Sequence, residues 1–304
     1  MNKRQKADLI LTIIKLVRTD YLFPEIAEKI ADYINEKLNT GDYEAENTPE
    51  ELAKKLTQDL QSVNGDLHLR VQYDPEDKIG NFVEDITKRI ELSRKENYGF
   101  KEAKILEGNI GYLKLNKFET PQNAGGTVAA AMNFLSNSDA LIIDIRENPG
   151  GNGPMVQLLT SYFFKERIHL NSFIFRSMDE IHQTYTVPHV QGQQMPGIGL
   201  YILTGKKTGS AAEAFCYNLK HLKRATLVGA PTAGAAHMGS FKTIGEFKMY
   251  IPEGYPTSSK TGTNWEGTGV LPHIETNEKD ALTTAHQLAL DNLKNKTKDN
   301  NQGE

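Results

Sequence analysis

Residues 140–146, Ala-Leu-Ile-Ile-Asp-Ile-Arg, put apolar side chains at successive positions rather than alternate ones. Neighbouring side chains of a strand point to opposite faces, so a strand of this kind must be covered on both sides. That pattern belongs to the interior of a parallel sheet flanked by helices. The shorter apolar runs Leu200–Leu203 and Ala225–Val228 repeat it. A small-residue helix over 121–135 precedes the first run, and between the runs lie a helix from about 154 to 164 and a segment after Ser210 with apolar residues at three- and four-residue intervals. Strands alternate with helices from residue 105 onward, which makes this part of the chain an α/β core.

The first seventy residues read differently. Ile10, Ile13, Ile14, Val17 and Tyr21 form one helical face, and Ile26, Ile30, Tyr33, Ile34 and Leu38 form a second after the Phe23-Pro24 break. Thr48-Pro49-Glu50-Glu51 is a capped helix start, with proline at the first helical position. The expected organisation is a helical bundle over 1–66, an α/β core over 67–293 and a polar, disordered tail over 294–304.

Composition removes several classes of function. With 24% charged residues and a formal net charge of -4, the chain lacks the clustered basic surface that nucleic acid requires. Cys216 is the only cysteine, so neither an intrachain disulfide nor a cysteine-based metal cluster can form. No H-E-x-x-H and no dense His/Asp cluster is visible along the chain, so no metal and no cofactor are expected. Lys3, Arg4 and Lys6 precede an apolar run, but Asp8, Lys15 and Arg18 interrupt it and no small-residue cleavage site follows. We expect a cytoplasmic protein without a membrane span, secretion staying open if the chain is a mature form.

Ser210 stands where a strand gives way to a helix. Its hydroxyl is expected beside the unpaired N–H groups of the first turn, which can stabilise an oxyanion. Ser210-x-x-Glu213 also has the form of a capping box, in which the serine merely ends a helix. The glycine loop Asn148–Gly153 follows the central strand; it lacks the spacing of a phosphate-binding loop and is either a tight turn or a second source of oxyanion donors. His68 begins an alternating segment, Leu67–Tyr73, after an Asn64-Gly65-Asp66 turn.

Taken in order, these pieces resemble the tail-specific or C-terminal processing proteases, the S41-type serine peptidases. The likeness rests on Asp144-Ile-Arg-x-Asn-x-Gly-Gly151, Thr208-x-Ser-Ala-x-Glu213, Val228-Gly-x-Pro-Thr232 and Glu266-Gly-x-Gly-Val-x-Pro272. Tyr21-x-Phe-Pro24, Ser161-Tyr-Phe-Phe164 and Trp265-Glu-Gly-x-Gly-Val-x-Pro-His273 are similar to the interphotoreceptor retinoid-binding protein branch. The resemblance implies a ββα-spiral core of the Clp protease/crotonase kind with an N-terminal helical domain. Tyr73 and Ile105 lie too close together to admit the PDZ domain of many relatives.

The resemblance also implies a catalytic set. The branch that uses a serine–lysine dyad has its lysine opposite Ala235 here, so that dyad is absent. The branch similar to the tricorn protease implies Ser210 as nucleophile, His68 as base and Glu266 as the acceptor that stabilises the imidazolium. Leu67 stands where that branch has a second serine. Ala211 and one of Gly150 or Gly151 would bind the oxyanion. His237 is the alternative base. The implied function is a serine endopeptidase that cleaves peptides or unfolded proteins near the C-terminus through an acyl-enzyme. The competing expectation is a catalytically silent or weak module that binds retinoids or fatty acids, an apolar small ligand, on the same scaffold. The sequence does not specify an oligomeric state.

Overall fold

The computed structural model describes residues 1–75, 82–176 and 181–301. The chain divides into two compact units. The first contains residues 1–85, 173–182 and 237–256, and the second 86–172, 183–236 and 257–304. The helices of 1–66 therefore share their unit with segments from much later in the chain.

The first unit holds α1 (Lys3–Asp20), α2 (Pro24–Thr40) and α3 (Pro49–Ser62), with α2 starting at the Phe23-Pro24 break and α3 at the capped Thr48-Pro49 start that the sequence signals. Thr48 and Glu51 close the expected capping box, and Pro24 and Pro49 occupy first-turn positions. The helices bury Ile10, Ile13, Ile30, Ile34, Leu52 and Leu56 in one core. Strand β1 (Arg70–Tyr73) docks on α3 through Thr57, whose hydroxyl accepts the Val71 N–H at 2.8 Å and donates to the Val71 carbonyl at 3.0 Å. The same unit holds β9 (Met238–Ile244) and the 247–256 part of β10 (Phe247–Ser258), joined by a two-residue turn with Gly245 at φ +60. β10 runs antiparallel to both β1 and β9, and the chain also forms the strands β5 (His169–Phe175) and β6 (His182–Tyr185).

Two expectations change here. Residues 67–69 are a turn rather than the start of a strand, because the Asp66 carboxylate takes the His68 N–H at 2.9 Å and the Asp66 carbonyl takes the Leu69 N–H at 3.3 Å. The sequence predicts a loop over 253–264, but 253–258 continue β10 through a register shift between Pro252 and Gly254.

The second unit is built on a six-stranded sheet in the order β11-β8-β7-β4-β3-β2. The strands are β2 (Phe100–Leu106), β3 (Ile110–Leu115), β4 (Ala140–Asp144), β7 (Gly199–Thr204), β8 (Thr226–Gly229) and β11 (Ile274–Glu275). Only the β2–β3 hairpin is antiparallel. β4 is buried at every position. Leu141 and Ile143 pack with α5 (Pro121–Leu135), α6 (Gly153–Ser161) and α7 (Ala211–His221), while Ala140 and Ile142 face Ala281, Ala285 and Ala289 of α8 (Ala281–Asn301). The two-sided burial expected from residues 140–146 is thus met by helices on both faces. α8 runs on through 294–301, where a polar, disordered tail was expected, and 302–304 lie outside the described residues. Residues 76–100 are charged and predict a helix; α4 (Phe82–Lys95) lies within that span, and 76–81 lie outside the described residues. No described helix is long and apolar enough to cross a membrane.

Candidate active site

Parallel neighbours in a sheet end at the same edge, so the loops after β4, β7 and β8 must lie side by side, at the carboxyl ends where ligands of such sheets bind. Asp144 pairs with Leu203, which sets the 145–152 loop beside the 204–210 loop. Hydrogen bonds join them: Thr208 Oγ1 donates to the Ile145 carbonyl at 2.8 Å, and the Gly209 N–H to the Asn148 carbonyl at 3.0 Å.

Ser210 emerges from this junction, exposed, with φ 50 and ψ −119. An ordinary N-cap residue is extended. A positive φ on serine is strained and is held by its surroundings. Those surroundings centre on Glu213, which is fully buried. Its Oε2 accepts the N–H groups of Ser210 and Ala235, both at 2.8 Å. Its Oε1 accepts the Thr232 hydroxyl at 2.5 Å and the Gly234 N–H at 2.6 Å. Burial raises the carboxyl above its usual range, against the downward pull of those four donors. Glu213 therefore does far more than cap a helix: it ties the serine turn to the loop after β8. The sequence signal for it was the S-x-x-E spacing, which says nothing of the distant partners.

The oxyanion candidates lie within this framework. Gly150 has φ +112, and a Cβ there would meet the Gly209 carbonyl oxygen at 2.7 Å, Ser210 Cβ at 2.8 Å and Ala211 N at 2.9 Å. Only glycine lets the loop approach the serine so closely. The Gly150 N–H itself donates to Asn148 Oδ1 at 2.9 Å, whereas those of Gly151 and Ala211 have no protein acceptor among the described residues. Glu266 accepts the Ala236 N–H at 2.6 Å. Trp265 Nε1 donates to the Ala235 carbonyl at 3.1 Å, so the 265–270 segment is laced onto the 232–236 loop. Ser210, Gly150, Gly151, Ala211 and Glu266 all belong to the second unit.

His68 and His237 belong to the first unit, and Asp66 gathers them. Its Oδ1 lies 3.1 Å from His68 Nδ1, and its Oδ2 lies 3.4 Å from His237 Nδ1 and accepts the Tyr21 hydroxyl at 2.9 Å. Asn64 Nδ2 donates in turn to that hydroxyl at 2.7 Å. Phe23 packs edge-on against the His237 ring, and Tyr250 lies against His68. Burial raises the Asp66 carboxyl, but the hydrogen bonds from His237, His68 and Tyr21 outweigh it and hold the group well below the usual carboxylate range. Asp66 was missed in the sequence, where it stood in an Asn-Gly-Asp turn. The compact group of Asp66, His68 and His237 is the His/Asp cluster that no linear motif displayed.

The model of Peptidase family S41 matches residues 109–276, and that of the N-terminal domain of Peptidase S41 in eukaryotic IRBP matches residues 2–97. The chain is 30% identical over 133 residues to the chloroplastic carboxyl-terminal-processing peptidase 2 of Arabidopsis thaliana, a match covering 43% of the chain and 25% of that protein. The chain thus spans about a quarter of the length of this curated relative. Among solved structures, a lipoprotein from Streptococcus agalactiae superposes with a TM-score of 0.62 at 17% identity, covering 93% of this chain and 96% of that one. The photosystem II D1 C-terminal processing protease superposes with a TM-score of 0.57 at 14% identity, covering 90% and 94%. These likenesses show the fold, and it is the one the sequence motifs implied.

Proposed function

Because the chain belongs to Peptidase family S41, we propose that it is a serine peptidase whose nucleophile is Ser210, cutting peptides or unfolded proteins near their C-terminal ends. The observation that carries this reading is the conformation of Ser210. An exposed serine, strained at the junction of β7 and α7 and pinned through its N–H to Glu213, presents its hydroxyl from a backbone conformation that an ordinary N-cap does not adopt. The preference for C-terminal ends follows the two relatives whose names describe that activity.

In the proposed reaction a neutral His68 takes the Ser210 Oγ proton as Oγ attacks the scissile carbonyl. The carbonyl oxygen becomes an oxyanion, stabilised by the N–H groups of Gly151 and Ala211. The imidazolium then protonates the leaving amine, and water hydrolyses the acyl-enzyme with the same base. Asp66 supports this role for His68: a carboxylate accepting from Nδ1 puts the ring's lone pair on Nε2. Glu266 is proposed as a further acceptor for the charge that forms on the ring.

Labelling with a fluorophosphonate probe tests the reading. Wild type should label at a single site, and Ser210→Ala should not label and should lose turnover by several orders of magnitude, on the scale of ~10⁶. Labelling that persists in Ser210→Ala overturns it.

A further inference from the structure

We propose that Asp66, His68 and His237 form a binding site for a divalent transition-metal ion of the zinc class. One ligand atom from each of the three lies within 4.8 Å of the others. His68 Nδ1 lies 3.1 Å from Asp66 Oδ1 and His237 Nδ1 lies 3.4 Å from Asp66 Oδ2, so each imidazole nitrogen faces its own oxygen of the carboxylate at about the ~3.3 Å ligand–ligand spacing of a site with bonds of ~2.0–2.1 Å. Two imidazoles and one carboxylate suit zinc and its neighbours and not magnesium or calcium, which prefer all-oxygen shells.

The supporting contacts are those that metal sites use. The Tyr21 hydroxyl fixes the carboxylate and Asn64 fixes the hydroxyl, so Asp66 is aimed before any ion arrives. The turn at Asp66 delivers His68, and the start of β9 delivers His237. Both rings keep some exposure, 17% and 10% of their side-chain surface, against 3% for Asp66.

Occupancy has a chemical consequence. A metal bound at His68 Nδ1 takes the lone pair there, and the neutral ring's single proton then sits on Nε2. No proton is gained or lost; it moves across the ring. A protonated Nε2 cannot accept the Ser210 proton, so the ion silences the base. This consequence, though not the site, rests on His68 being the base.

The test is a titration of full-length Ser210→Ala with zinc chloride against a chromophoric zinc chelator, so that turnover plays no part. The expected result is one ion per chain with a dissociation constant of about micromolar or tighter. His237→Ala and Asp66→Asn, checked for native circular dichroism, should each weaken binding at least about tenfold. Cobalt(II) should give ligand-field bands that His237→Ala abolishes. No binding, or equal affinity in all variants, overturns the site. In wild type, zinc should slow fluorophosphonate labelling in step with occupancy. Binding without slowing leaves the site standing and tells against His68 as base, whereas a protein that binds zinc but never labels tells against the peptidase reading alone.

Discussion

The Ser210 N–H donates to Glu213 Oε2 at 2.8 Å, and that carboxylate also gathers Thr232, Gly234 and Ala235. A charged side chain with no exposed surface is here the peg on which a strained turn hangs. Glu213→Gln keeps the shape but offers an NH₂ where donors already point. We expect a loss of about 1–3 kcal/mol in urea unfolding, the cost of an unsatisfied buried group, together with a sharp fall in probe labelling. Unchanged stability would mean that the carboxylate is not the organiser.

Strain at Ser210 separates stability from activity. Glycine accepts φ 50 without steric cost, whereas alanine retains the strain. Ser210→Gly should therefore be about 1 kcal/mol more stable than Ser210→Ala by thermal or urea unfolding, both being inactive. Equal stabilities would show that the turn is relaxed.

Gly150→Ala should be severe. The added Cβ meets backbone atoms of Gly209 and Ala211 rather than flexible side-chain ends, so the 145–152 loop must retreat from Ser210. We expect labelling to slow by about 10²-fold or more, the scale on which a lost oxyanion donor acts. A purely structural glycine would instead lower stability and leave the labelling rate of the folded fraction untouched.

Asp66 fixes the sign of an acid effect. Its folded carboxyl titrates below the ordinary value, so its contribution is fully present above the unfolded value, about 3.9, and is lost as pH falls through the folded one. Asp66→Asn should be less stable than wild type at neutral pH, and the gap should close as the solution is acidified below about pH 4. A gap that widens on acidification would show that Asp66 is not held as the anion.

Much of this architecture was legible because it is local. The Thr48–Glu51 box, the prolines at 24 and 49, and the two-sided strand 140–144 carry their structure in adjacent residues. The junction at Ser210 was legible too, from an apolar run followed by helical spacing. What the chain order hides is long-range. Glu213 shows its S-x-x-E spacing but not the loop at 232–235 that it clasps, and a positive φ at a serine leaves no trace in composition. Asp66 and His237 are 171 residues apart, and only β9 and the turn after α3 bring them together. Turn chemistry also overrode alternation at 67–69, where Asp66 takes backbone donors that a strand would need.

The choice of base is the sharpest remaining test. Asp66 approaches both imidazoles, at 3.1 Å for His68 and 3.4 Å for His237, so either ring could be oriented by it. His68 is held twice, through its Nδ1 and through its backbone N–H, and the family resemblance puts the base at its position. His68→Ala should thus abolish turnover and labelling while leaving the fold intact. Only a neutral ring accepts the serine proton, so wild-type kcat/KM must fall as pH drops, and His237→Ala should keep that acid limb with at most a modest loss. Asp66→Asn offers the ring an amide instead of a carboxylate, which favours the wrong tautomer and leaves the imidazolium unsupported. It should lower kcat far more than it raises KM. If His237→Ala is inactive while His68→Ala still turns over, the roles of the two rings are exchanged, and Asp66 orients His237 instead.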